Sequence, residues 1–535
     1  MEDIQAMLNL GMDFALWDGS MRTMMQQVYA SLPEPPVHTA APLSSAAAEE
    51  PAPDGADRIS RLPAAVLRSV VSRLPAKDAA RTTVLSKRWR RVWHTTPLVL
   101  LDAHLFPARA PAAGVARLLQ ALAPASRDAT AAVSRALAAH PGPFRCVYLT
   151  GTAMDEHRAE IAHWLQLLAA KGVQELFFVN RARTMKTDLQ LPGTLFSCTA
   201  LTRLYIAFWR FPDTATLPRA AAFPYLQELG LSALRMEEGD LAFLLDRCPV
   251  LEKLLIVGSL WPVRLCIQSR SLRCVEVCTS FVQEITVVHA SRLERLFLMG
   301  ALGFGPLTNL CLKIKIGHAP KLRYLGFLVP GMHELDIGNT IIKAGTKASP
   351  KTTVPSVLML AILVKLESRI EARMLPSFLR CFPNVETLYV QSENPEFKVY
   401  GPQSSSSNTG KLNLKFWEEA GPIECIQRHI KKLVIREFRG SRSELDFLKF
   451  IAERAQVLEE MVIYFTHGIS PLDRVGAKLR TFMASAKWSN ACCKMTVFPC
   501  PFDQEGTAWC IVRPFDFSIQ DPFDISYLKG KYRIH

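Results

Sequence analysis

The sequence predicts an α/β protein in which three short helices near the N-terminus precede a curved solenoid of strand-and-helix repeats. Helical apolar faces are concentrated between residues 57 and 102, and an L-x-x-L-x-L pattern recurs ten times between residues 173 and 463. Most recurrences are separated by 21 to 29 residues. One such unit is too small to bury a core, whereas stacked neighbours bury a continuous one.

The composition excludes a wholly disordered chain. Of the 535 residues, 49% are hydrophobic and 21% are charged, which is close to the average of globular proteins. The net charge of +14 permits an acidic partner but is spread over a long chain. Nucleic acid is therefore a weaker candidate partner than protein.

Several features predict an intracellular protein of the cytoplasm, the nucleus or both. The 13 cysteines contain no C-x-x-C and no regular framework, which favours reduced thiols. The N-terminus opens Met1-Glu2-Asp3, without the basic start of a secretory signal. The longest apolar run, residues 357–364, is far shorter than the roughly 20 residues of a membrane span. We therefore expect no membrane partner.

The first element, residues 1–56, is expected to be a disordered leader. Thirteen of the 26 positions from 31 to 56 are Ala or Pro. Such a segment has too little large apolar surface to offset the entropy lost on ordering. The composition changes abruptly at Asp57, where the next element begins.

Residues 57–102 contain signals for three helices. The first begins near Pro63, Pro75 separates it from the second, and Ser86 is a plausible N-cap of the third. About 46 residues cannot bury all the Leu, Val and Trp side chains that this segment carries. It also holds ten Lys or Arg against three acidic residues. A basic rim around an apolar face indicates an acidic protein partner.

This segment resembles an F-box. The pattern is carried by Asp57, Ile59, Leu62-Pro63, Val66-Leu67, Leu74-Pro75, Asp78-Ala79, Val84-Leu85-Ser86, Arg88-Trp89 and Trp93. The resemblance implies that the segment binds a Skp-family adaptor and, through it, a cullin scaffold. The expected adaptor-binding residues are Leu62, Pro63, Leu67, Leu74, Val84, Leu85, Trp89 and Trp93. Some of them must instead hold the three helices together, and the sequence alone does not divide the set.

The repeats follow in residues 103–400, and the same pattern occurs twice more in the segment after them. The middle apolar residues of its ten occurrences are Leu176, Leu204, Leu229, Leu254, Val275, Leu296, Leu325, Leu388, Leu433 and Met461. The period-2 element predicts a strand with one buried face. Gaps of 63 and 45 residues, before positions 388 and 433, must hold degenerate units or insertions. The region resembles the irregular leucine-rich repeats of plant F-box proteins.

A polar loop at residues 401–411 is expected to separate the repeats from residues 412–490, which resemble the FBD module of such proteins. The resemblance is carried by Trp417, Pro422, Glu424, Cys425, Leu433, Gly440, Glu444-Leu445, Ile451, Leu458 and Met461. We expect a strand, a turn at Gly440, an amphipathic helix and a second strand there. Residues 491–535 form the C-terminal tail, in which positions 497–511 could be paired strands.

Motifs of catalysis are missing from the sequence. It has no HExxH, no G-x-S-x-G and no phosphate-binding loop. A group of acidic and His residues between positions 155 and 163 fits a solvated helix face better than a metal site, because His157 and His163 face differently. We therefore expect no catalytic residues, no metal and no cofactor.

The leading hypothesis is a non-catalytic substrate-recognition subunit of an SCF-type ubiquitin ligase. The alternative is a repeat scaffold for protein–protein interaction that acts outside any ligase. An unidentified target protein would bind the repeats. Side chains between the last two apolar residues of the pattern should face the concave side, and five of them are large and apolar: Phe177, Tyr205, Leu255, Phe297 and Tyr389. We expect these five to form the target-binding face unless the chain's own segments cover them.

Overall fold

The computed structural model describes residues 24–37, 58–105, 127–152, 154, 157–181, 189–237, 239–259, 263–299, 311–392, 414–501 and 514–525. Most of the predicted leader, Asp57, the polar loop at 401–411 and parts of the C-terminal tail therefore lie outside the described residues. The chain divides into two compact units, Met1–Leu260 and Trp261–His535.

The first unit begins with the helical region that the sequence predicts. After helix α1 at residues 24–31, its helices are α2 (Ala64–Val71), α3 (Ala76–Arg81) and α4 (Lys87–Thr95). Pro63 and Pro75 stand at the N-caps of α2 and α3. The Ser86 hydroxyl accepts a hydrogen bond from the Trp89 amide at the start of α4, as expected for an N-cap. The three predicted helices are confirmed.

Six parallel strands in chain order follow in the first unit. They are β1 (Leu98–Leu101), β2 (Phe144–Leu149), β3 (Glu175–Val179), β4 (Arg203–Ala207), β5 (Glu228–Ser232) and β6 (Lys253–Val257). Helices α5 (Arg127–Ala139), α6 (Arg158–Ala170) and α7 (Asp240–Asp246) connect strands. Leu176, Leu204, Leu229 and Leu254 stand directly opposite one another across β3 to β6. The predicted repeat is therefore also the register of the sheet.

The second unit continues the pattern with eight parallel strands. They are β8 (Cys274–Cys278), β10 (Arg295–Met299), β12 (Tyr324–Leu328), β15 (Met359–Val364), β16 (Thr387–Ser392), β17 (Lys432–Phe438), β18 (Glu460–Phe465) and β19 (Lys494–Phe498). Leu360 of β15 lies between Leu325 and Leu388 in register. This strand is the degenerate repeat inside the gap of 63 residues.

This unit also contains a second, five-stranded sheet. It contains β7 (Val263–Gln268), β9 (Val282–His289), β11 (Leu312–His318) and β13 (His333–Ile337) in parallel, with β14 (Thr340–Ile341) antiparallel at its edge. Strands thus occur here where the repeat resemblance leads one to expect helices. Their side chains alternate between buried and exposed along β7 and β11, as a sheet with one covered face requires.

The FBD-like segment has the expected order of strand, turn, helix and strand. Gly440 has φ +74, a left-handed conformation that glycine adopts without steric penalty. Helix α10 (Arg442–Arg454) begins with a capping box between Ser441 and Glu444. The flanking helices are α8 (Arg369–Arg380), α9 (Leu414–Glu419) and α11 (Arg474–Ala484). Trp417 of α9 is buried, with its ring 5.1 Å from Phe447 of α10.

The structure differs from the expected disordered leader at residues 24–37. Met25 and Val28 of helix α1 are buried in a cluster with Val179, Ala207 and Phe208, at the ends of β3 and β4. The Tyr148 hydroxyl donates a hydrogen bond of 3.0 Å to the Pro33 carbonyl oxygen. Two apolar anchors on one helical turn are sufficient here, although the composition of the whole leader is poor in large apolar residues.

Candidate functional site

The helices at residues 58–95 pack around a small apolar centre. Leu67 and Val71 of α2, Ala79 of α3, and Trp89 and Val92 of α4 are all buried. The Trp89 indole N–H donates a hydrogen bond of 2.9 Å to the Ser60 hydroxyl. The Arg88 guanidinium donates to the carbonyl oxygens of Ser60 and Leu62, which fixes the short 3-10 turn at Ile59–Arg61 against α4.

A second set of apolar side chains in this region faces outward. The exposed fractions are 59% at Ile59, 37% at Leu62, 42% at Val66, 41% at Val70, 83% at Val84 and 63% at Leu85. Pro63 is exposed beside Leu62. We call these seven residues the exposed helical face. Large apolar side chains gathered outside a core are typical of a protein interaction site.

The structure divides the eight predicted adaptor-binding residues. Leu62, Pro63, Val84 and Leu85 belong to the exposed helical face. Leu67 and Trp89 are core residues, with 0% and 5% of their surface exposed. Leu74 and Trp93 are half-buried. Ile59, Val66 and Val70 are also exposed and lie outside the predicted set. Apolar character alone does not separate them from the buried Leu67 and Val71.

The Trp93 side chain also contacts His140, which lies between helix α5 and strand β2 of the same unit. Its ring lies edge-on to the His140 ring at 4.9 Å. Burial lowers the pKa of His140 to about 4, so this imidazole is neutral near pH 7. His140 Nε2 lies 3.1 Å from the Thr96 carbonyl oxygen and 3.3 Å from that of Pro143. Trp93 therefore joins the helical region to the sheet.

Basic side chains surround the exposed helical face. All ten Lys and Arg residues between positions 58 and 91 are exposed. Arg81 forms an ion pair of 2.9 Å with Asp78, and both side chains are largely accessible to water. An exposed pair of this kind contributes little to stability, so the positive charge of the rim remains available to an acidic partner.

The five residues predicted to form a target-binding face are all buried, which corrects the expectation of an exposed face. The exposed fractions are 0% at Phe177, 2% at Tyr205, 4% at Leu255, 0% at Phe297 and 2% at Tyr389. They do lie on strands at the expected register positions. The period of the pattern therefore predicted their strand positions correctly. It did not predict that other parts of the chain bury these side chains.

In the first unit the aromatic side chains cover one another. The rings of Tyr148 and Phe177 are stacked at 3.9 Å, and those of Phe177 and Tyr205 at 5.1 Å. The Tyr205 ring lies over Gly230, where a Cβ atom would be only 2.2 Å from its Cδ1. The Tyr205 hydroxyl donates a hydrogen bond of 2.7 Å to Glu228. The row is thus a packed aromatic ladder along the sheet.

Next to this ladder runs a row of alternating charges. Arg203 pairs with Glu175 at 3.1 Å and with Glu228 at 2.8 Å, and Lys253 pairs with Glu228 at 3.2 Å. Burial alone would raise the pKa of Glu228, but Arg203 and Lys253 hold it below its usual value. Glu228 therefore stays ionised near neutral pH, and its ion pairs with those of Arg203 link β3 to β6.

In the second unit, residues 514–525 lie over the strand positions that hold Phe297 and Tyr389. Phe523 is 1% exposed, and its ring is 5.3 Å from that of Phe297 and 5.2 Å from that of Tyr389. The Tyr389 hydroxyl donates a hydrogen bond of 2.7 Å to Asp521. We call residues 514–525 the strap and the strand surface beneath it the strap face.

No group of three or more His, Cys, Asp or Glu among the described residues is arranged to hold a metal ion. Six of the twelve cysteines in the described part of the chain are buried. Helices of the length and apolarity needed to cross a bilayer are likewise missing from the described ranges.

Comparisons with known proteins match three parts of the chain. The F-box domain family matches residues 59–100. A family described as FBD-associated F-box protein At5g56370, LRR repeats, matches residues 161–390, and the FBD family matches residues 418–463. The first two matches agree with the predicted helical region and repeats, and the third lies within the predicted FBD-like module.

Curated relatives from Arabidopsis thaliana have names that combine an F-box with leucine-rich repeats, an FBD or both. F-box/FBD/LRR-repeat protein At1g13570 is 28% identical over 37% of this chain and 43% of its own length. F-box/LRR-repeat protein At3g26922 is 30% identical over 37% of this chain and 59% of its own length. The chain thus spans about half the length of these two relatives. FBD-associated F-box protein At4g10400 is 24% identical over 75% of this chain and 90% of its own length.

Proposed function

We propose that this chain, which is similar to plant F-box proteins with leucine-rich repeats and an FBD, is a substrate-recognition subunit of an SCF-type ubiquitin ligase. The observation that carries the proposal is the exposed helical face. Its apolar residues lie within the F-box match and have basic neighbours. An F-box implies a Skp-family adaptor as the protein that covers this face, and a cullin beyond it.

We assign different roles to the predicted adaptor-binding residues. Leu62, Pro63, Val84 and Leu85 would contact the adaptor directly, together with Ile59, Val66 and Val70. Leu67 and Trp89 would act indirectly, by holding the helices in the orientation that presents this face. A central cluster of large apolar side chains typically supplies most of the binding free energy, and a charged rim mainly speeds association.

The proposed contribution of the chain to ubiquitination is proximity. A target bound to the repeats would be held near the ubiquitin-charged enzyme of the complex, which raises the effective concentration of its lysines. No covalent step is assigned to this chain. The curved form of the repeat solenoid and a location in the cytoplasm or nucleus remain predictions of the same proposal.

The test is co-expression with a Skp-family adaptor, followed by co-purification. We expect the wild-type chain to bind the adaptor, and Val84→Asp combined with Leu85→Asp to weaken binding about 30- to 1,000-fold. Leu472→Asp is the matched control, because Leu472 is 87% exposed and lies outside the F-box. Both variants should melt at the wild-type temperature, since exposed positions rarely change stability by more than about 0.5 kcal/mol.

Affinity purification with mass spectrometry separates the ligase from the alternative. Adaptor and cullin peptides recovered with the wild-type chain, and lost with the double variant, support the ligase subunit. Recovery of other proteins without adaptor or cullin would contradict it and favour a repeat scaffold that acts outside a ligase.

A further inference from the structure

The strap crosses the strand surface of the second unit without forming a helix or strand of its own. Arg295 of β10 donates hydrogen bonds to the carbonyl oxygens of Pro514 at 2.8 Å, Asp516 at 2.9 Å and Ile519 at 2.8 Å. Near the other end, Arg436 of β17 donates to the Phe523 carbonyl oxygen. Two guanidinium groups therefore hold the main chain of the strap.

Side-chain contacts add selectivity to this main-chain capture. Phe523 fills the middle of the strap face, with its ring edge-on to Phe297 and Phe327. The Arg273 guanidinium lies 3.8 Å from the centre of the Phe517 ring, a cation–π contact. Asp521 accepts the hydrogen bond from the Tyr389 hydroxyl. The surface thus selects phenylalanine and aspartate at defined places.

The charges of strap and surface are complementary. Residues 514–525 read PFDFSIQDPFDI, with three Asp, three Phe and no Lys or Arg. The strap face presents Arg273, Arg295 and Arg436, of which Arg295 and Arg436 are each only 2% exposed. Burying a guanidinium is costly unless its donors find acceptors, and here the carbonyl oxygens of the strap supply them.

These arginines make the strap face different from an ordinary core surface. Exposing a purely apolar strand face to water is unfavourable, whereas Arg295 and Arg436 would gain hydrogen bonds to water if the strap left. Guanidinium donors to main-chain carbonyl oxygens, combined with contacts to particular side chains, are suited to holding a peptide segment. The face can thus accept another segment in place of the strap.

We propose that the strap face is a binding site for an acidic, phenylalanine-bearing segment of a partner protein, and that residues 514–525 occupy it in its absence. The partner segment would replace the strap bond for bond: carbonyl oxygens at Arg295 and Arg436, a phenylalanine in the place of Phe523 and a carboxylate at Tyr389. Under the proposed function, on which this identification of the partner rests, that protein is the ubiquitination target.

Tethering sets how strongly the strap competes. A segment joined to the same chain acts at an effective concentration of about 1 mM, so an incoming peptide of micromolar affinity meets a competitor that is always present. Weakening the strap should therefore raise the apparent affinity for a peptide in trans by about 30-fold or more, without any change in the strap face.

The test measures binding of a fluorescent peptide with the sequence of residues 514–525 to the full chain. Phe523→Ser combined with Asp521→Ala weakens the strap and leaves the strap face intact. We expect this variant to bind the peptide at least about 30-fold more tightly than the wild-type chain does. Adding Arg295→Ala should abolish the gain, and a scrambled peptide of the same composition should not bind.

The opposite result is a folded, strap-weakened chain that does not bind the peptide, or that binds the scrambled peptide equally well. Either overturns the proposal. Should that variant fail to fold, hydrogen exchange of the wild-type chain decides: strap amides should exchange at least about 100-fold faster than those of β16 and β17. Equal rates would show that the strap leaves only on global unfolding, which also overturns the proposal.

Adaptor binding of the same variants keeps the two proposals apart. Peptide binding without adaptor binding would leave the peptide site standing and contradict the ligase role. Adaptor binding without peptide binding would support the ligase role and overturn the peptide site.

Discussion

The exposed helical face and the strap face are both rich in large apolar side chains, and they differ in what covers them. Val84 and Leu85 of the helical face are mostly accessible, whereas Phe297 and Tyr389 of the strap face are buried beneath Phe523. Within the described ranges, no segment of the chain covers Val84 or Leu85. Phe523, which covers Phe297 and Tyr389, stands 226 and 134 positions further along the chain than these two residues. An excess of large apolar side chains thus predicts that some segment covers them. The chain itself supplies that segment for the strap face, and we expect a second protein to supply it for the exposed helical face.

The largest effect that sharpens this comparison is expected at Trp89. Trp89→Ala should lower the free energy of unfolding by about 3 to 5 kcal/mol, because the side chain is buried and its indole N–H is bonded to Ser60. Leu85→Ala, at a 63% exposed position, should leave the unfolding transition unchanged. Chemical denaturation monitored by circular dichroism measures both. Equal stability of the two variants would show that the helices do not share the core described above.

A pH-dependent effect is expected on the strand side of the comparison, at Glu276. Burial raises the pKa of this carboxyl, which is 4% exposed, to about 7, well above its value in an unfolded chain. The protonated, neutral form of the Glu276 carboxyl is the one favoured in the folded chain. Its contribution to the free energy of unfolding is therefore fully present below about pH 4.5 and is lost as pH rises through about 7.

Glu276→Gln removes this dependence and supplies the check. Compared with the wild type, the variant should show little difference in unfolding free energy at pH 4.5 and a gain of up to about 3 kcal/mol at pH 8. Denaturant titrations at both pH values measure it. A difference that does not vary with pH would contradict the assigned protonation.

Val28 of helix α1 and Val84 of the exposed helical face provide a matched pair of substitutions, one buried and one exposed. Val28→Ala removes methyl groups from a fully buried side chain and should cost about 1 to 2 kcal/mol of stability. The same change at Val84, which is 83% exposed, should cost less than about 0.5 kcal/mol. Thermal melts of the two variants measure the difference. Equal melting temperatures of the two variants would show that helix α1 does not pack on the fold.

The smallest effect is expected from the basic rim of the helical face. Arg61→Glu combined with Arg68→Glu should slow adaptor association about fivefold at low salt, with the difference fading above about 0.5 M salt as screening increases. Stopped-flow association rates measure this. Lys343→Glu with Lys347→Glu, both exposed and outside the F-box, is the control with the same charge change. A salt-independent effect would point to a direct contact instead of long-range attraction.

The sequence predicted the strands and their register more completely than any other feature. Leu176 and Leu204 are paired as the repeat requires, and so are Leu388 and Leu433. Strand formation of this kind depends on a local period-2 pattern, which a single repeat already contains. The second sheet carried the same signal, for instance in Leu312–His318, but no L-x-x-L-x-L unit marks that strand.

Relations between distant segments could not be predicted in this way. The strap has no period, and the bonds from Arg295 reach main-chain oxygens that any residue could supply. In helix α2, Val66 and Val70 have the same spacing as the buried Leu67 and Val71, so the pattern does not tell which pair faces the centre. Both distinctions depend on tertiary packing, which residue type alone does not encode.

The separation of the strap from its face has a consequence during synthesis. Strand β18 ends at Phe465, and the strap begins at Pro514, about 50 residues later. At about 5 to 20 residues per second, the ribosome needs about 3 to 10 seconds to add that length. For this interval Phe297 and Tyr389 have no Phe523 to cover them. The nascent repeats therefore pass through a stage in which chaperones can bind an apolar surface that the finished fold conceals.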